Sequence, residues 1–367
     1  MTAKKIRITG ALAVAGLWAV LTFFAWFHGS QDISMTERRK LQQFPALTGE
    51  TLLNGKFMGK FEAYTQDQFP LRDGFRQVKA IFSYKVLGQK DNNGIYLTQG
   101  HGAKLEYPLN EDSARKAVEK FRHIYETYLL GKGGKIAFAV VPDKSYYLAE
   151  ENGYLHMDYD RLFTIMEKNL PWAAYVDLTD SLTIDDYYRT DTHWRQEKLL
   201  PVAQKLAQAL KVPGPRPEDF RQEKLDRPFY GVYYGQAALP MASEPMYYLT
   251  NETLEACQVL NYETGKYSPV YDLTKEQGRD QYDVFLSGPV SIQTIENPHG
   301  PKRELLVFRD SFGSSLVPLL VQDYSKVTLI DTRYVPADYL DQFIEFNGQD
   351  VLFLYSPMVL NQSAMLK

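Results

Sequence analysis

Asp191, Thr192, His193 and Trp194 stand together in the stretch YYRTDTHWRQ, residues 187–196. An aspartate two positions before a histidine can set its carboxylate beside the imidazole Nδ1, fix the tautomer and leave Nε2 free to take a proton. Such a pair attacks nothing by itself. It needs a nucleophile, and a serine hydroxyl becomes one only when a base removes its proton. The stretch RDSFGSS, residues 309–315, supplies a candidate. Ser311 sits where the apolar run ELLVF, 304–308, gives way to a turn at Gly313 and then to the helical pattern SSLVPLLVQ. A helix starting there offers unpaired backbone N–H groups and a partial positive charge, which an oxyanion requires. Asp191, His193 and Ser311 thus form the inventory of an acyl-transfer triad, in the chain order Asp, His, Ser. Each part also has a plainer reading, with Asp310 or Ser311 capping a helix and Asp191 and His193 forming a buried structural pair.

The rest of the composition narrows the chemistry. His193 is the one histidine of six with an aspartate two positions before it and a helical pattern after it. No H-x-x-x-H or cysteine pair is present to hold a metal, and no metal or other cofactor is expected. The single cysteine, Cys257, permits no intrachain disulfide and has no histidine or glycine-rich turn beside it. With 367 residues, 44% hydrophobic and 23% charged, the chain suits one large domain or two modest ones. A net charge of −4 gives no sign of a nucleic-acid partner. The 26 tyrosines fit either sugar stacking or ordinary core packing.

These residues need a frame to bring them together. Five apolar runs read as buried strands: 135–142, 173–178, 304–308, 326–331 and 350–356. Helical patterns fall at 160–170, 195–210, 313–323 and 337–346, and Asp112 and Ser113 are read as opening another that Gly131 closes. The alternation predicts an open α/β sheet, with sites beyond the carboxyl ends of its strands. Residues 212–300 break the rhythm and read as a long insertion with short strands. Two further helices, around Phe57–Tyr64 and Phe75–Phe82, are separated by Pro70, and NNGIYL, 92–97, reads as a turn into a strand.

Residues 8–27 carry no charge and follow Lys4, Lys5 and Arg7. Twenty residues at about 1.5 Å each span the roughly 30 Å hydrocarbon core. The stretch AWFHGS lacks a small-x-small cleavage site, so an uncleaved anchor is expected rather than a signal peptide, with Trp26 and His28 at its interfacial end. The basic flank places the N-terminus in the cytoplasm and the remainder outside, as a single-pass protein of the cell membrane. The expected division is 1–28 for tip and anchor, 29–54 for a polar stalk, and 55–367 for the catalytic domain with its insertion at about 212–300.

TDTHW, 190–194, paired with RDSFG, 309–313, resembles the DHHW family and the related alginate O-acetylation proteins. ERRKLQQFP, DQFPLRD, NNGIYL, VPDK and VTLIDTRY extend the similarity over nearly all of the chain after the anchor. The resemblance implies an SGNH-hydrolase-like three-layer sandwich with a central parallel sheet. It implies a catalytic triad of Ser311, His193 and Asp191, and O-acetyl transfer to, or esterase action on, an extracellular polysaccharide. It also implies a membrane-bound acyltransferase partner that supplies acetyl groups. Thr192 departs from the name-giving motif, which has histidine there. The asparagine that helps form the oxyanion hole in SGNH enzymes has no clear counterpart; Ser356 and the later Asn361 follow the last strand. Ser311 N–H and Gly313 N–H are the candidate donors. Arg309, Trp194, Arg333 and Tyr334 are candidate substrate contacts, with ion pairing for the arginines and packing for Trp194 as the plainer readings. A rival class is a non-catalytic glycan-binding or assembly protein on the same fold.

Overall fold

The computed structural model describes residues 3–27 and 29–367. Two compact units make up the chain: Met1–Asn93 with Tyr234–Pro240, and Gly94–Tyr233 with Met241–Lys367.

In the first unit, helix α1 (Ala3–Phe27) contains a 19-residue span, Arg7–Ala25, long and apolar enough to cross a membrane. A signal sequence would meet the same criteria of length and composition. His28, read as the interfacial end of the span, lies outside the described residues. Residues 29–54, read as a stalk, are tied to the helices that follow, α2 (Lys56–Asp67) and α3 (Arg72–Ile81). Arg39 grips Asp67 through two nitrogens at 2.8 and 2.6 Å, and that hydrogen bonding holds the Asp67 carboxyl down at about 2. Arg72 and Arg76 both reach Glu37. Residues 55–93 therefore cluster with the preceding segment and not with the sheet.

The second unit is built on eight strands: β1 (Ile136–Val140), β2 (Ala174–Tyr175), β3 (Gln258–Asn261), β4 (Lys266–Ser268), β5 (Ile292–Glu296), β6 (Glu304–Arg309), β7 (Lys326–Ile330) and β8 (Asp350–Tyr355). Their order is β4-β3-β5-β7-β6-β8-β1-β2. The five strands read from the sequence, β7, β6, β8, β1 and β2, pair in parallel. The other three pair antiparallel at one edge. The sheet thus has the expected parallel centre and, beside it, an antiparallel edge. The reason is that residues 212–300, read as an insertion, supply β3, β4 and β5 to the same sheet.

Alternation along each strand feeds two cores. Ala137, Leu305, Val307 and Leu352 face one side, packed with Val202 and Leu206 of α7 (Leu200–Leu210). Phe138, Leu306, Phe308 and Phe353 face the other, packed with Phe121 of α4 (Glu111–Ile124) and Leu162 of α6 (Tyr159–Asn169). α5 (Lys144–Leu148) follows β1 directly. The N-cap of α4 is Asn110, which accepts from Ser113 N–H, not Asp112 or Ser113 as the sequence suggested. The helix read at 313–323 is α-helical only over α8 (Gly313–Leu316); Pro318 then sits in a 3-10 continuation to Asp323.

Candidate active site

Three strand ends converge on the site. β6 leads into Asp310 and Ser311, β8 into Ser356, and β1 into Asp143 and Lys144. Asp310 locks the first two ends together, because its Oδ1 accepts from Phe312 N–H at 3.0 Å and its Oδ2 from Ser356 N–H at 2.8 Å. Asp310 thus closes an Asx turn over Ser311 and does not cap the following helix, whose N-cap is Phe312 with no side-chain hydrogen bond.

The loop after residue 186 brings in the other partners. His193 Nε2 lies 2.8 Å from Ser311 Oγ, across 118 residues of chain. His193 Nδ1 lies 2.6 Å from Asp191 Oδ1, and the backbone N–H of His193 donates to the same oxygen at 3.0 Å. Asp191 Oδ2 accepts from Val232 N–H at 2.7 Å, and Asp191 is fully buried. With Nδ1–H directed at the carboxylate, Nε2 is left to accept from the serine hydroxyl. Backbone approach here is close: a Cβ on Gly231 would fall 2.4 Å from Asp191 Cα.

Several supporting residues carry no motif. Tyr282 lies flat on His193, with ring centroids 3.9 Å apart and planes at 8°. Its hydroxyl donates to Ser315 Oγ at 2.7 Å. Lys144 is buried and donates to the carbonyls of Tyr188 and Arg189 at 2.9 and 3.3 Å, which fixes the loop that delivers Asp191 and His193. Burial pushes the Lys144 ammonium down to about 7 and the neighbouring Asp143 carboxyl up to about 6. Tyr282 and Val232 belong to 212–300, where the sequence shows neither periodicity nor spacing that ties them to His193.

The other candidate residues fall differently. Trp194 is fully buried and cannot meet a substrate; its Nε1–H donates to Phe312 O and Ser315 Oγ at 3.2 and 3.0 Å. Arg309 is only 1% exposed and donates to Ser314 Oγ beneath the turn, so it does not reach the surface. Gly313 is needed for packing, since a Cβ there would sit 2.9 Å from Arg309 Cβ. The Gly313 N–H is committed to Asp310 O at 3.1 Å and is not free for an oxyanion. Phe312 N–H is taken by Asp310 as well, which leaves the Ser311 N–H as the amide of this turn with no acceptor among the described residues. Arg333 lines the pocket beside Ser311 with its guanidinium held on Asp331 at 2.9 and 2.6 Å. Tyr334 is half exposed beside Arg333 and does not line that pocket. Asn361 is used elsewhere, accepting from Asn110 N–H and donating to Pro108 O.

The pocket at Ser311 is small, about 40 Å³, and is lined also by Lys144, Thr192, Tyr233, Ser356 and Met358. Two larger hollows of about 570 and 810 Å³ lie elsewhere in the unit and include neither Ser311 nor His193.

A mixed sheet sandwiched between helices, with Ser311, His193 and Asp191 brought together at the carboxyl edge of its parallel strands, is an SGNH-hydrolase-like α/β fold. Solved structures share this fold. A DHHW family protein from Eubacterium siraeum is 20% identical with a TM-score of 0.60, covering 74% of this chain and 93% of that one. Bacillus cereus PatB1, solved with a sulfonyl adduct, is 18% identical with a TM-score of 0.59, covering 72% and 95%. The O-acetyltransferase domain of Pseudomonas putida AlgJ is 15% identical, covering 73% and 92%, but its TM-score of 0.46 is too low to show a shared fold. No family model and no curated protein matches the sequence.

Proposed function

We propose that this chain is a membrane-anchored serine O-acyltransferase or esterase that works on a glycan outside the cytoplasm, with Ser311, His193 and Asp191 as its triad. One observation carries the reading: the unbroken chain of hydrogen bonds from Ser311 Oγ through His193 to Asp191, at 2.8 and 2.6 Å. His193 Nε2 takes the Ser311 proton as Oγ bonds to the acyl carbonyl carbon, and the Ser311 N–H faces the developing oxyanion. The intermediate collapses, the donor's oxygen leaves with the proton from His193, and acyl-Ser311 remains. An acceptor hydroxyl then gives its proton to His193 as it bonds to the acyl carbon, and His193 passes that proton to the departing Ser311 Oγ, which restores both residues. Asp191 orients the ring and balances the imidazolium in both halves.

The size of the pocket supports acetyl as the group carried. On this scale one water needs about 10–15 Å³, so a cavity of about 40 Å³ admits a few non-hydrogen atoms and no sugar ring. The glycan would lie outside it. The sulfonyl adduct on PatB1, which shares the fold, is in keeping with an activated hydroxyl at such a site. The extracytoplasmic placement and a membrane-bound acyl donor partner rest on α1 and on the resemblance in the motifs.

Labelling of the detergent-solubilised full chain by a sulfonyl fluoride or an activated acetyl ester tests the reading. Stoichiometric modification is expected in the wild type and none in Ser311→Ala. Equal labelling of both proteins would remove Ser311 from the mechanism.

A further inference from the structure

Helix α3 and the turn of Phe82–Val86 that continues it are built inside out. Arg72 and Arg76 face the protein, reaching Glu37 at 2.6 and 3.1 Å. Their large apolar side chains face away. Leu71 is 78% exposed, Val78 66% and Val86 65%, with Phe75 and Phe82 about half exposed. Positions 71, 75, 78, 82 and 86 recur at helical spacing, so these side chains form one continuous stripe. A water-facing helix has the opposite arrangement, and a contiguous apolar face of this kind marks a contact.

The covalent path identifies what the contact is. Gln31 N–H donates to Gln68 Oε1, and Gln68 Nε2 donates back to Gln31 O, both at 2.8 Å. Gln31 stands four residues after Phe27, the last residue of α1, a reach of at most about 14 Å. Gln68 stands three residues before Leu71. The stripe therefore begins close to the end of the apolar span, where the bilayer surface would be. Exposed Lys79 and Lys85 flank it, with stems long enough to carry their ammonium groups to phosphate headgroups.

We propose that residues 71–87 form an amphipathic helix lying in the lipid interface beside the anchor, with the Leu71–Val86 stripe at the boundary of headgroups and acyl chains. This inference rests on reading α1 as a retained membrane span. It gives the molecule a second membrane contact, which fixes the first unit against the bilayer instead of leaving it on a free tether.

The test uses the full chain in vesicles of phosphatidylcholine and phosphatidylglycerol that contain nitroxide-labelled lipid. Cys257, the one native cysteine, is replaced by alanine, and an environment-sensitive fluorophore is attached to a single cysteine at Val78→Cys, Leu17→Cys or Lys60→Cys. Quenching at position 78 comparable to that at position 17, with none at exposed position 60, is the expected result. Quenching at 17 without quenching at 78 overturns the interfacial helix while leaving the anchor intact, and assigns the stripe to a protein partner. Loss of quenching at both positions removes the retained span and the inference with it. Equal quenching at 60 and 78 also overturns the inference, because the contact would then not be specific to the apolar face.

Discussion

Tyr282 covers one face of the His193 ring, parallel to within 8° at 3.9 Å. The phenol is held in turn by Ser315 Oγ, which also receives Trp194 Nε1–H at 3.0 Å. His193 is thus fixed at its edge by Asp191 and on its face by Tyr282, and the second fixing traces back through Ser315 to the helix that follows Ser311. Tyr282→Ala removes the face and lets the imidazole tilt away from Oγ. The expected loss in kcat is about 10- to 100-fold, in line with the cost of misplacing a catalytic group by about 1 Å. Tyr282→Phe keeps the ring and should stay within a few-fold of wild type. Steady-state hydrolysis of a small acetyl ester compares the two variants, and equal rates for them would mean that the stack does not position His193.

Asp191→Asn should be far more damaging than its size suggests. An amide cannot hold the Nδ1–H tautomer and balance the imidazolium, and the same change in a serine protease costs about 10⁴-fold in kcat. Val232 N–H keeps an acceptor only if the amide oxygen faces it. Single-turnover acylation followed by mass spectrometry gives the rate, and a loss below tenfold would contradict the triad.

Gly231→Ala tests the close approach behind Asp191. The new Cβ would fall 2.3–2.5 Å from Asp191 Cβ, Cα and N. Backbone cannot yield as a flexible side chain does, so the loop must shift. The expected outcome is a destabilisation of about 1–3 kcal/mol together with loss of Ser311 labelling. Thermal melts and probe labelling of the same sample read both effects.

Lys144 makes stability depend on alkaline pH. Burial holds its ammonium at about 7 against an ordinary value of 10.5. Between those values the unfolded chain binds the proton and the folded chain does not, so stability rises as pH climbs through the window and falls as pH drops toward 7. Lys144→Met should flatten this part of the curve. Melting temperatures at a series of pH values from about 7 to 10 measure it, and parallel curves for the two proteins would show that Lys144 does not titrate there.

Met358 lines the small pocket, and its sulfur lies 3.6 Å from Lys104 Nζ. Met358→Ala should open room for a longer acyl chain. The preference for butyryl over acetyl esters is expected to rise at least about tenfold, the low end of what one methylene is worth in an apolar pocket. An unchanged ratio of kcat/KM values would place the limit on chain length at another wall, such as Tyr233.

The residues that meet at the centre were legible in the sequence because their chemistry is local. Asp191 and His193 are two positions apart, and the turn at Ser311 is written in the glycine, the aspartate and the apolar run before it. The five parallel strands were legible for a similar reason, since a strand buried on both faces is apolar at every position. The residues that support the centre were not legible. Tyr282, Val232 and Lys144 act through contacts between segments about 40 to 90 positions apart in the chain, where no period or spacing records the pairing.

Residue types also misled where burial decides their use. Trp194, Arg309 and Gly313 stand beside the reactive residues in sequence, yet Trp194 and Arg309 are buried, Arg309 because β6 is covered on both faces, and the turn consumes the Gly313 amide. The sequence by itself determined which side chains could move a proton and which segments form strands, because both follow from residue type and short-range order. Only the tertiary structure decided that the segment 212–300 completes the sheet and the site, because long-range packing selects among pairings that local propensity leaves equal.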